Sequence, residues 1–247
     1  MIKPVFAGAT DVGLVRAVNQ DAYCIDEAGR FFVVADGMGG HAAGQEASRI
    51  AKETIRSYLD TYWASDKPSE VLLEEAFRAA NRAIIEDQKV HPQNADMGTT
   101  AVATIFRAIG TEEPSVWCGN LGDSRIYHQT AQGLVQVTED DTWVAQAVRM
   151  GAIEVEEVRS HPWRHVLAQC LGREDMGEIE VLSLSVQPGD RLLLCSDGLT
   201  EELEDDSIAR DLKHNSCEVA ASNLIASAKE AGGHDNITVI VVDITAS

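Results

Sequence analysis

The hydrophobic and polar positions in the first quarter of the chain predict a buried strand followed by an amphipathic helix. The strand is the apolar run at residues 31–35, which ends at Asp36 and is followed by glycines. Beyond Gly40, apolar residues recur on one helical face: Ala47, Ile50, Ala51, Ile55, Tyr58, Leu59 and Tyr62. We therefore expect a strand that carries the Asp36 carboxylate to a glycine-rich turn.

The rest of the chain groups its strands in blocks, with helices between the blocks. A second helix is predicted around residues 73–84, and a last one at residues 217–231, before Gly232 and Gly233. Strand patterns lie at residues 99–106, 115–118, 124–128, 134–138, 178–186, 191–195 and 237–244. This grouping favours a layered α+β fold over a strictly alternating βαβ fold. We expect one domain over residues 1–247.

Residues 140–164 form a predicted insertion between two strands. Their pattern is helical, but Gly151 and Pro162 interrupt it. Insertions of this length within a compact domain are often functional. We expect this segment to act as a flap.

Composition narrows the class of protein. Acidic residues outnumber basic ones 40 to 20, and a net charge of −20 disfavours nucleic acid and anionic membranes as partners. The five cysteines are scattered and include no C-x-x-C pair, which argues against a disulfide framework and a thiolate zinc site. No apolar segment approaches the roughly 20 residues of a membrane span, and no signal-peptide pattern is present. A cytoplasmic location is the expectation.

Acidic residues stand at the ends of several predicted strands. Asp36 and Asp197 each follow an apolar strand and precede glycine, Asp235 stands just before a strand, and Asp123 lies in a tight turn. An isolated Asp-Gly is usually only a turn. Four such acids together with Asp21 would repel one another unless cations were bound, and all-oxygen ligands select magnesium, manganese or calcium.

The glycines after Asp36 allow two interpretations. The Gly37 carbonyl can approach a metal closely, which makes it a candidate ligand. Alternatively, residues 37–42 fit the G-x-G-x-x-G/A pattern of a dinucleotide-binding turn. The dinucleotide interpretation is disfavoured because it places Asp36 against a pyrophosphate and because the later strands are predicted to pair antiparallel.

Several motifs in fixed order resemble those of a known family. They are Arg16, residues 19–21, 36–41, 97–100, 122–125, 196–200 and 235–236. In this order they resemble the bacterial type-2C, metal-dependent Ser/Thr protein phosphatases of the PPM family. The resemblance implies a four-layer α-β-β-α sandwich, in which two antiparallel sheets are flanked by helix pairs, with a flap beside a metal cluster. Residues 161–167 and 192–203 are further similar to the cyanobacterial phosphatase that acts on the signalling protein PII.

The resemblance also implies metal ligands. Asp36 would bridge two Mn²⁺ or Mg²⁺ ions and the Gly37 carbonyl would join one. Asp197 and Asp235 would complete another, and Asp21 would contact the cluster directly or through water. Asp123, with Asp197, matches a third site. Two cations about 4 Å apart can turn a shared water into a metal-bridged hydroxide that attacks phosphorus.

Three further residues have implied roles with alternatives. Arg16 resembles the phosphate-binding arginine of the family, and its alternative is a surface ion pair with a neighbour such as Asp11. His41 is a candidate proton donor to the leaving group, but it could equally cap a helix or orient a water. His161 and His165 stand four residues apart with Pro162 between them, which disfavours a helical metal pair. His161 is instead predicted to lie in the flap and influence substrate choice.

The expected function is therefore hydrolysis of phosphoserine or phosphothreonine in proteins by a monomeric, metal-dependent enzyme. PII is one candidate substrate. The alternative is a catalytically silent domain of the same fold that binds phosphoproteins or calcium. Retention of Asp36, Asp197 and Asp235 favours the enzyme, because a silent relative would typically have lost at least one of them.

Overall fold

The computed structural model of the protein describes residues 2–40, 43–108, 115–213 and 216–246. Two antiparallel sheets form its centre. One has the strand order β1-β11-β10-β7-β8 and the other the order β2-β3-β5-β6-β9, with β4 paired to β3. The strands are β1 (Ile2–Asp11), β2 (Asp21–Ile25), β3 (Phe31–Met38), β4 (Gly98–Thr99), β5 (Ala101–Arg107), β6 (Ser115–Leu121), β7 (Arg125–Thr130), β8 (Gly133–Gln136), β9 (Glu180–Leu184), β10 (Arg191–Cys195) and β11 (Ile237–Ala246).

Helices cover the outer face of each sheet. The helices are α1 (Ala43–Tyr62), α2 (Ser69–Val90), α3 (Trp143–Arg149), α4 (Asp197–Thr200), α5 (Asp205–Leu212) and α6 (Cys217–Ala231), with 3₁₀ turns at Pro92–Asn94 and Val155–Ser160. Helix α3 and the second 3₁₀ turn lie in the predicted flap. Helices α1 and α2 pack on the second sheet through residues such as Ile55 and Phe77. Helices α5 and α6 pack on the first sheet, for example through Leu224. Among the described residues, no helix is both long and apolar enough to cross a membrane.

The core between the sheets is built by side chains that alternate along the strands. Phe32 and Val34 of β3 face the other sheet, whereas Phe31 and Val33 face α1 and α2. A strand buried on both faces needs a continuous apolar run, which is what residues 31–35 supply. The predicted four-layer α-β-β-α sandwich with two antiparallel sheets is confirmed.

Three local features depart from the predicted elements. The strand predicted at residues 99–106 is broken at Thr100, which leaves the sheet ladder to hydrogen-bond around Asp36. Helix α4 begins at Asp197 and α5 follows it, in a region where no helix was expected. Both are short, and short helices depend more on packing than on local sequence. By contrast, the last helix has the predicted bounds, Cys217–Ala231.

A buried arginine fixes the connection between α1 and α2. Arg107, 3% exposed, donates from Nε to the Trp63 carbonyl at 3.0 Å and from Nη1 to the Lys67 carbonyl at 2.6 Å, and Nη2 contacts the Ser65 carbonyl. Burial lowers the pKa of the guanidinium. Its planar fork therefore satisfies three carbonyls that would otherwise lack partners.

Replacing Arg107 with lysine is expected to lower the free energy of unfolding by about 2 kcal/mol. Lysine keeps the charge, but a single ammonium cannot reach three spread carbonyls, and unmade buried hydrogen bonds are costly. Urea unfolding measures the change. Arg82→Lys, at an exposed position of α2, is the matched control, and equal stability of the two variants would contradict this role.

Candidate metal centre

One cavity of about 960 Å³ lies at the edge of the sandwich where many strand ends meet. Strand β3 ends there, β2 and β7 begin there, and β10 and β11 meet there. Six of the predicted site residues line this cavity: Arg16, Asp36, Gly37, Asp123, Asp197 and Asp235. The topology therefore brings together acids that are up to about two hundred residues apart in the sequence.

Asp21 lies behind Asp36 and does not line the cavity. The two residues are direct partners in the β2–β3 ladder. Ser196 Oγ donates to Asp21 Oδ2 at 2.7 Å, and Asp21 Oδ1 is buried with no hydrogen-bond partner. Burial raises the pKa of Asp21 to about 7, against the opposing effect of the hydrogen bonds that it accepts. Asp21 thus forms the floor of the acidic cluster.

The backbone at Asp36 is held by two threonines. Asp36 N–H donates to Thr100 Oγ1 at 3.1 Å, and Thr100 N–H donates to the Asp36 carbonyl at 2.9 Å. Thr99 Oγ1 donates to the same carbonyl at 2.7 Å, and Thr100 Oγ1 contacts Ser124 Oγ at 2.7 Å. The Met97-Gly98-Thr99-Thr100 motif therefore positions Asp36 and links it to the turn that carries Asp123.

The carboxyls of this cluster are electrostatically uncompensated. Burial raises the pKa of Asp36 well above its ordinary value, and the charges of Asp21, Asp197 and Asp123 add to that effect. The pKa of Asp123 is likewise raised, mainly by burial and next by the charge of Asp197. Burial also raises the pKa of Asp197. Such crowding of carboxylates in a poorly solvated place is unfavourable unless positive charge enters the site.

The donor set fits oxygen-preferring divalent cations. Asp21 Oδ1 and Asp197 Oδ1 are buried acceptors without a partner among the described residues. Asp197 lines the cavity together with the carboxylates of Asp36, Asp123 and Asp235, and Asp21 lies behind Asp36. Hard cations such as Mg²⁺ and Mn²⁺ bind sites of this composition. The residues present are therefore suited to hold such ions.

A second set of possible ligands adjoins Asp197. One ligand atom each of His165, Asp197 and Glu201 lies within 4.8 Å of the others, and His165 Nδ1 contacts Glu201 Oε1. Burial raises the pKa of Glu201 to about 7, and burial together with Arg164 lowers the pKa of His165. His165 and Glu201 were not among the predicted site residues. His165 directly follows the predicted flap (residues 140–164) and stands four residues after His161, which was the sequence signal available for it.

Arg16 forms an ion pair, but not with Asp11. Arg16 Nη2 lies 2.5 Å from Asp235 Oδ2, and the Arg16 side chain is 51% exposed. Asp11 is bound instead by Lys229, whose Nζ lies 2.9 Å away. The described residues offer no partner to the other N–H groups of Arg16, which lines the cavity. Its guanidinium therefore lies at the cavity wall and has N–H donors that could bind a ligand.

Asn236 holds the loop that carries Arg16. Its Nδ2 donates to the carbonyls of Val12 and Val18 at 2.9 and 3.1 Å, and its Oδ1 accepts from Gln20 N–H at 2.7 Å. One amide therefore closes the loop at both ends. The motif Asp235-Asn236 combines a cavity carboxylate with a structural clamp.

Two glycines at the site are required by close backbone approach. A Cβ at Gly37 would lie 2.0 Å from the Gly44 carbonyl oxygen, and one at Gly198 would lie 2.0 Å from the Asn236 carbonyl oxygen. Contacts this short exclude any side chain. The glycines after Asp36 and Asp197 are therefore explained by chain packing, which is compatible with Gly37 also offering its carbonyl to a metal.

The flap is anchored beside the acidic cluster. Arg125 makes a two-pronged ion pair with Asp140, at 2.8 and 2.7 Å, and so ties the Asp123 turn to the start of the flap. Asp141 pairs with Gly122 through its backbone N–H at 2.9 Å and its Oδ2 at 3.2 Å. Some residues of this segment line the cavity, among them Thr142, Val158, Arg164 and Leu167. Thr142 and Leu167 also pair in an isolated antiparallel bridge, which joins the two ends of the segment.

The predicted histidines have different outcomes. His161 lies in the flap, where its ring stacks on Trp143 at 5.1 Å and Nδ1 accepts from Trp163 N–H, and it does not line the cavity. His165 does line it. The role of His161 in substrate choice stays a prediction. His41 lies outside the described residues, so its role as proton donor also stays a prediction.

Fold and cavity together define an α-β-β-α sandwich with an acidic edge suited to divalent cations. A family model described as protein phosphatase 2C matches residues 15–229. Serine/threonine protein phosphatase PstP of Mycobacterium tuberculosis is 38% identical over 242 residues, which cover 97% of this chain and 45% of PstP. Serine/threonine phosphatase Stp of Listeria monocytogenes is 33% identical over 240 residues, which cover 95% of this chain and 93% of Stp.

Solved structures agree with these sequence relatives. The catalytic domain of serine/threonine protein phosphatase PstP in complex with two manganese ions superimposes with a TM-score of 0.86 at 33% identity and covers 100% of both chains. This chain spans less than half the length of full PstP, but nearly all of Stp. The chain belongs to the protein phosphatase 2C family.

Proposed function

We propose that the protein is a metal-dependent phosphatase that hydrolyses phosphoserine and phosphothreonine in proteins. The observation that carries this proposal is the convergence of Asp36, Asp123, Asp197 and Asp235 on one cavity, with Asp21 beneath them. Relatives named as serine/threonine phosphatases over almost the whole chain support it. The PstP catalytic domain with two manganese ions supports Mn²⁺, with Mg²⁺ as the other candidate.

The chain's own residues suit the binding of a phosphate ester. Asp36, Asp197 and Asp235, with the Gly37 carbonyl, would hold two cations, and Asp123 with Asp197 a third. When bound, the cations supply an activated water, in the manner of a metal-bridged hydroxide, and neutralise charge on the phosphate. Arg16, at the wall beside Asp235, binds phosphate oxygens through its free N–H donors.

Other parts of the site prepare it for the ester. Asp21 places a further carboxyl behind Asp36, and Ser196 holds that carboxyl by a hydrogen bond. Thr99 and Thr100 hold the Asp36 backbone by hydrogen bonds. Because geometry errors of about 1 Å can cost a hundredfold in rate, such supports matter for activity.

The test is release of phosphate from p-nitrophenyl phosphate and from a phosphothreonine peptide. Activity is expected with Mn²⁺, to fall at least about 100-fold with chelator, and to return on adding Mn²⁺. The metal requirement separates this enzyme from the catalytically silent alternative, which would bind the peptide or calcium without releasing phosphate. Absence of metal-dependent hydrolysis with both substrates would contradict the proposal.

We further propose that residues 1–247 act as one domain, as a monomer and in the cytoplasm. Signalling phosphoproteins, with PII as one candidate, would be the substrates. His41 would donate the proton to the leaving alkoxide.

A further inference from the structure

The loop that presents Arg16 exposes apolar side chains on both sides of it. Leu14 is 63% exposed, Val15 66% and Val18 47%. Exposed groups of large apolar side chains often mark a site that binds a partner or ligand. Here they surround a cavity-lining arginine.

Hydrogen bonds of the backbone and of Asn236 hold this loop. Leu14 N–H donates to the Gly233 carbonyl at 2.7 Å, and Asn236 binds the carbonyls of Val12 and Val18. These contacts come from the backbone and from Asn236. The exposed side chains of Leu14, Val15 and Val18 are therefore available for another role.

Residues 163–166, at the end of the flap, repeat this arrangement at the same cavity. Arg164 and His165 line the cavity, and they are flanked by Trp163, 53% exposed, and Val166, 47% exposed. Backbone hydrogen bonds from Trp143 to Val166 and from Val166 to Trp163 hold this turn, and the Trp163 ring packs edge-on against Trp143. Both turns thus place polar side chains toward the cavity and apolar ones outside it.

We propose that Leu14, Val15, Val18, Trp163 and Val166 form an apolar rim that binds residues flanking the phosphorylated residue of a protein substrate. The inference rests on the proposed phosphatase function and names its substrate class, an extended phosphorylated segment with apolar residues beside the phosphoserine or phosphothreonine. A phosphate held near Arg16 leaves the neighbouring residues of the segment over the rim. Burying an aliphatic side chain there adds affinity that a small aryl phosphate cannot use.

Charge favours this occupant over a membrane. The chain carries a net charge of −20, which repels anionic lipid surfaces. The basic side chains at the rim, Arg16 and Arg164, belong to the cavity wall, where a phosphate group would lie between the two apolar turns. Among the described residues, Arg164 has no ion-pair partner.

The experiment compares two phosphothreonine peptides that differ only in having leucine or serine on both sides of the phosphothreonine. In the wild-type holoenzyme with Mn²⁺, kcat/KM is expected to be about tenfold higher for the leucine peptide, the factor expected from partial burial of aliphatic side chains. In the V15S/V18S double variant, this ratio should fall to about 2 or less, with hydrolysis of p-nitrophenyl phosphate unchanged.

The matched control is V90S/V135S. Val90 and Val135 are 71% and 63% exposed and lie outside the cavity wall, so this variant should keep the tenfold ratio. A wild-type ratio near 1, or a ratio unchanged by V15S/V18S, overturns the rim. Equal losses with peptides and p-nitrophenyl phosphate also overturn it, because they indicate displacement of Arg16.

The same variants test other occupants. If V15S/V18S reduces binding to phosphatidylserine vesicles, or self-association in ultracentrifugation, while the peptide ratio stays at the wild-type value, the rim serves a membrane or a second copy and the proposal fails. Failure of the phosphatase function itself would be distinguishable, since no substrate would then be hydrolysed with Mn²⁺.

Discussion

Replacing Asp36 with asparagine is expected to lower metal-dependent phosphate release at least about 100-fold. Loss of a residue that only hydrogen-bonds a metal ligand already lowers metal affinity or activity about 10–100-fold. The same change should raise the melting temperature of the metal-free protein by about 2–4 °C, which corresponds to roughly 1 kcal/mol. Burial and three neighbouring acids raise the pKa of Asp36, so its charge near neutral pH destabilises the metal-free fold. Asparagine has nearly the same shape without that charge.

The sign of the stability change is the critical part of this prediction. When the folded-state pKa of a carboxyl lies above its unfolded-state pKa, the free energy of unfolding of the protein falls as pH rises above the unfolded-state pKa. Removing that carboxyl's charge at neutral pH therefore stabilises the folded chain. Calorimetry of chelator-treated wild type and variant measures it. The exposed Asp96→Asn is the control and should change neither activity nor melting temperature. A less stable D36N protein would contradict an uncompensated acidic cluster.

Replacing Arg125 with methionine is expected to reduce the free energy of unfolding by about 3 kcal/mol, because it leaves the Asp140 carboxylate partly buried and unpaired. The side chains of this pair are only 24% and 17% exposed, and Arg125 also donates to Tyr127 OH at 3.0 Å. Urea unfolding at fixed Mn²⁺ concentration measures the loss. Activity should fall as well, since the pair ties the Asp123 turn to the flap.

Two variants show whether the ion pair is responsible. Arg78→Met breaks a more exposed pair with Glu74 on α2, whose side chains are 39% and 42% exposed, and surface pairs contribute under about 1 kcal/mol. The double variant R125M/D140N should recover part of the stability lost in R125M, because no charge is then left unpaired. Equal losses in R78M and R125M, or no recovery in the double variant, would contradict the assigned role.

Much of the fold could be predicted because the apolar patterns are strong. The run at residues 31–35 is β3, and the predicted last helix has the bounds of α6. The break at Thr100 could not be predicted, since it depends on hydrogen bonds to Asp36, distant in sequence. Helices α4 and α5 were missed because their stability comes from packing on the first sheet.

The acidic residues of the candidate site could be predicted because they stand at strand ends in the sequence. Acids at strand ends meet because those ends lie at one edge, and the order of motifs identified which acids belong together. The pairing of Arg16 with Asp235 and the cavity position of His165 depend on loop and flap conformation. Neither could be obtained from spacing alone. The rim around Arg16 also emerges only once exposure is known.

Calorimetric titration of the metal-free protein with Mn²⁺ tests whether the acidic cavity is a metal centre. Wild type is expected to bind about two ions or more per chain, as expected of a two-metal site, and D36N is expected to bind fewer. Phosphate release should appear over the same range of Mn²⁺ concentration. Binding of no Mn²⁺ by wild type, or the same binding by D36N, would contradict the assignment of this acidic cavity as a metal centre.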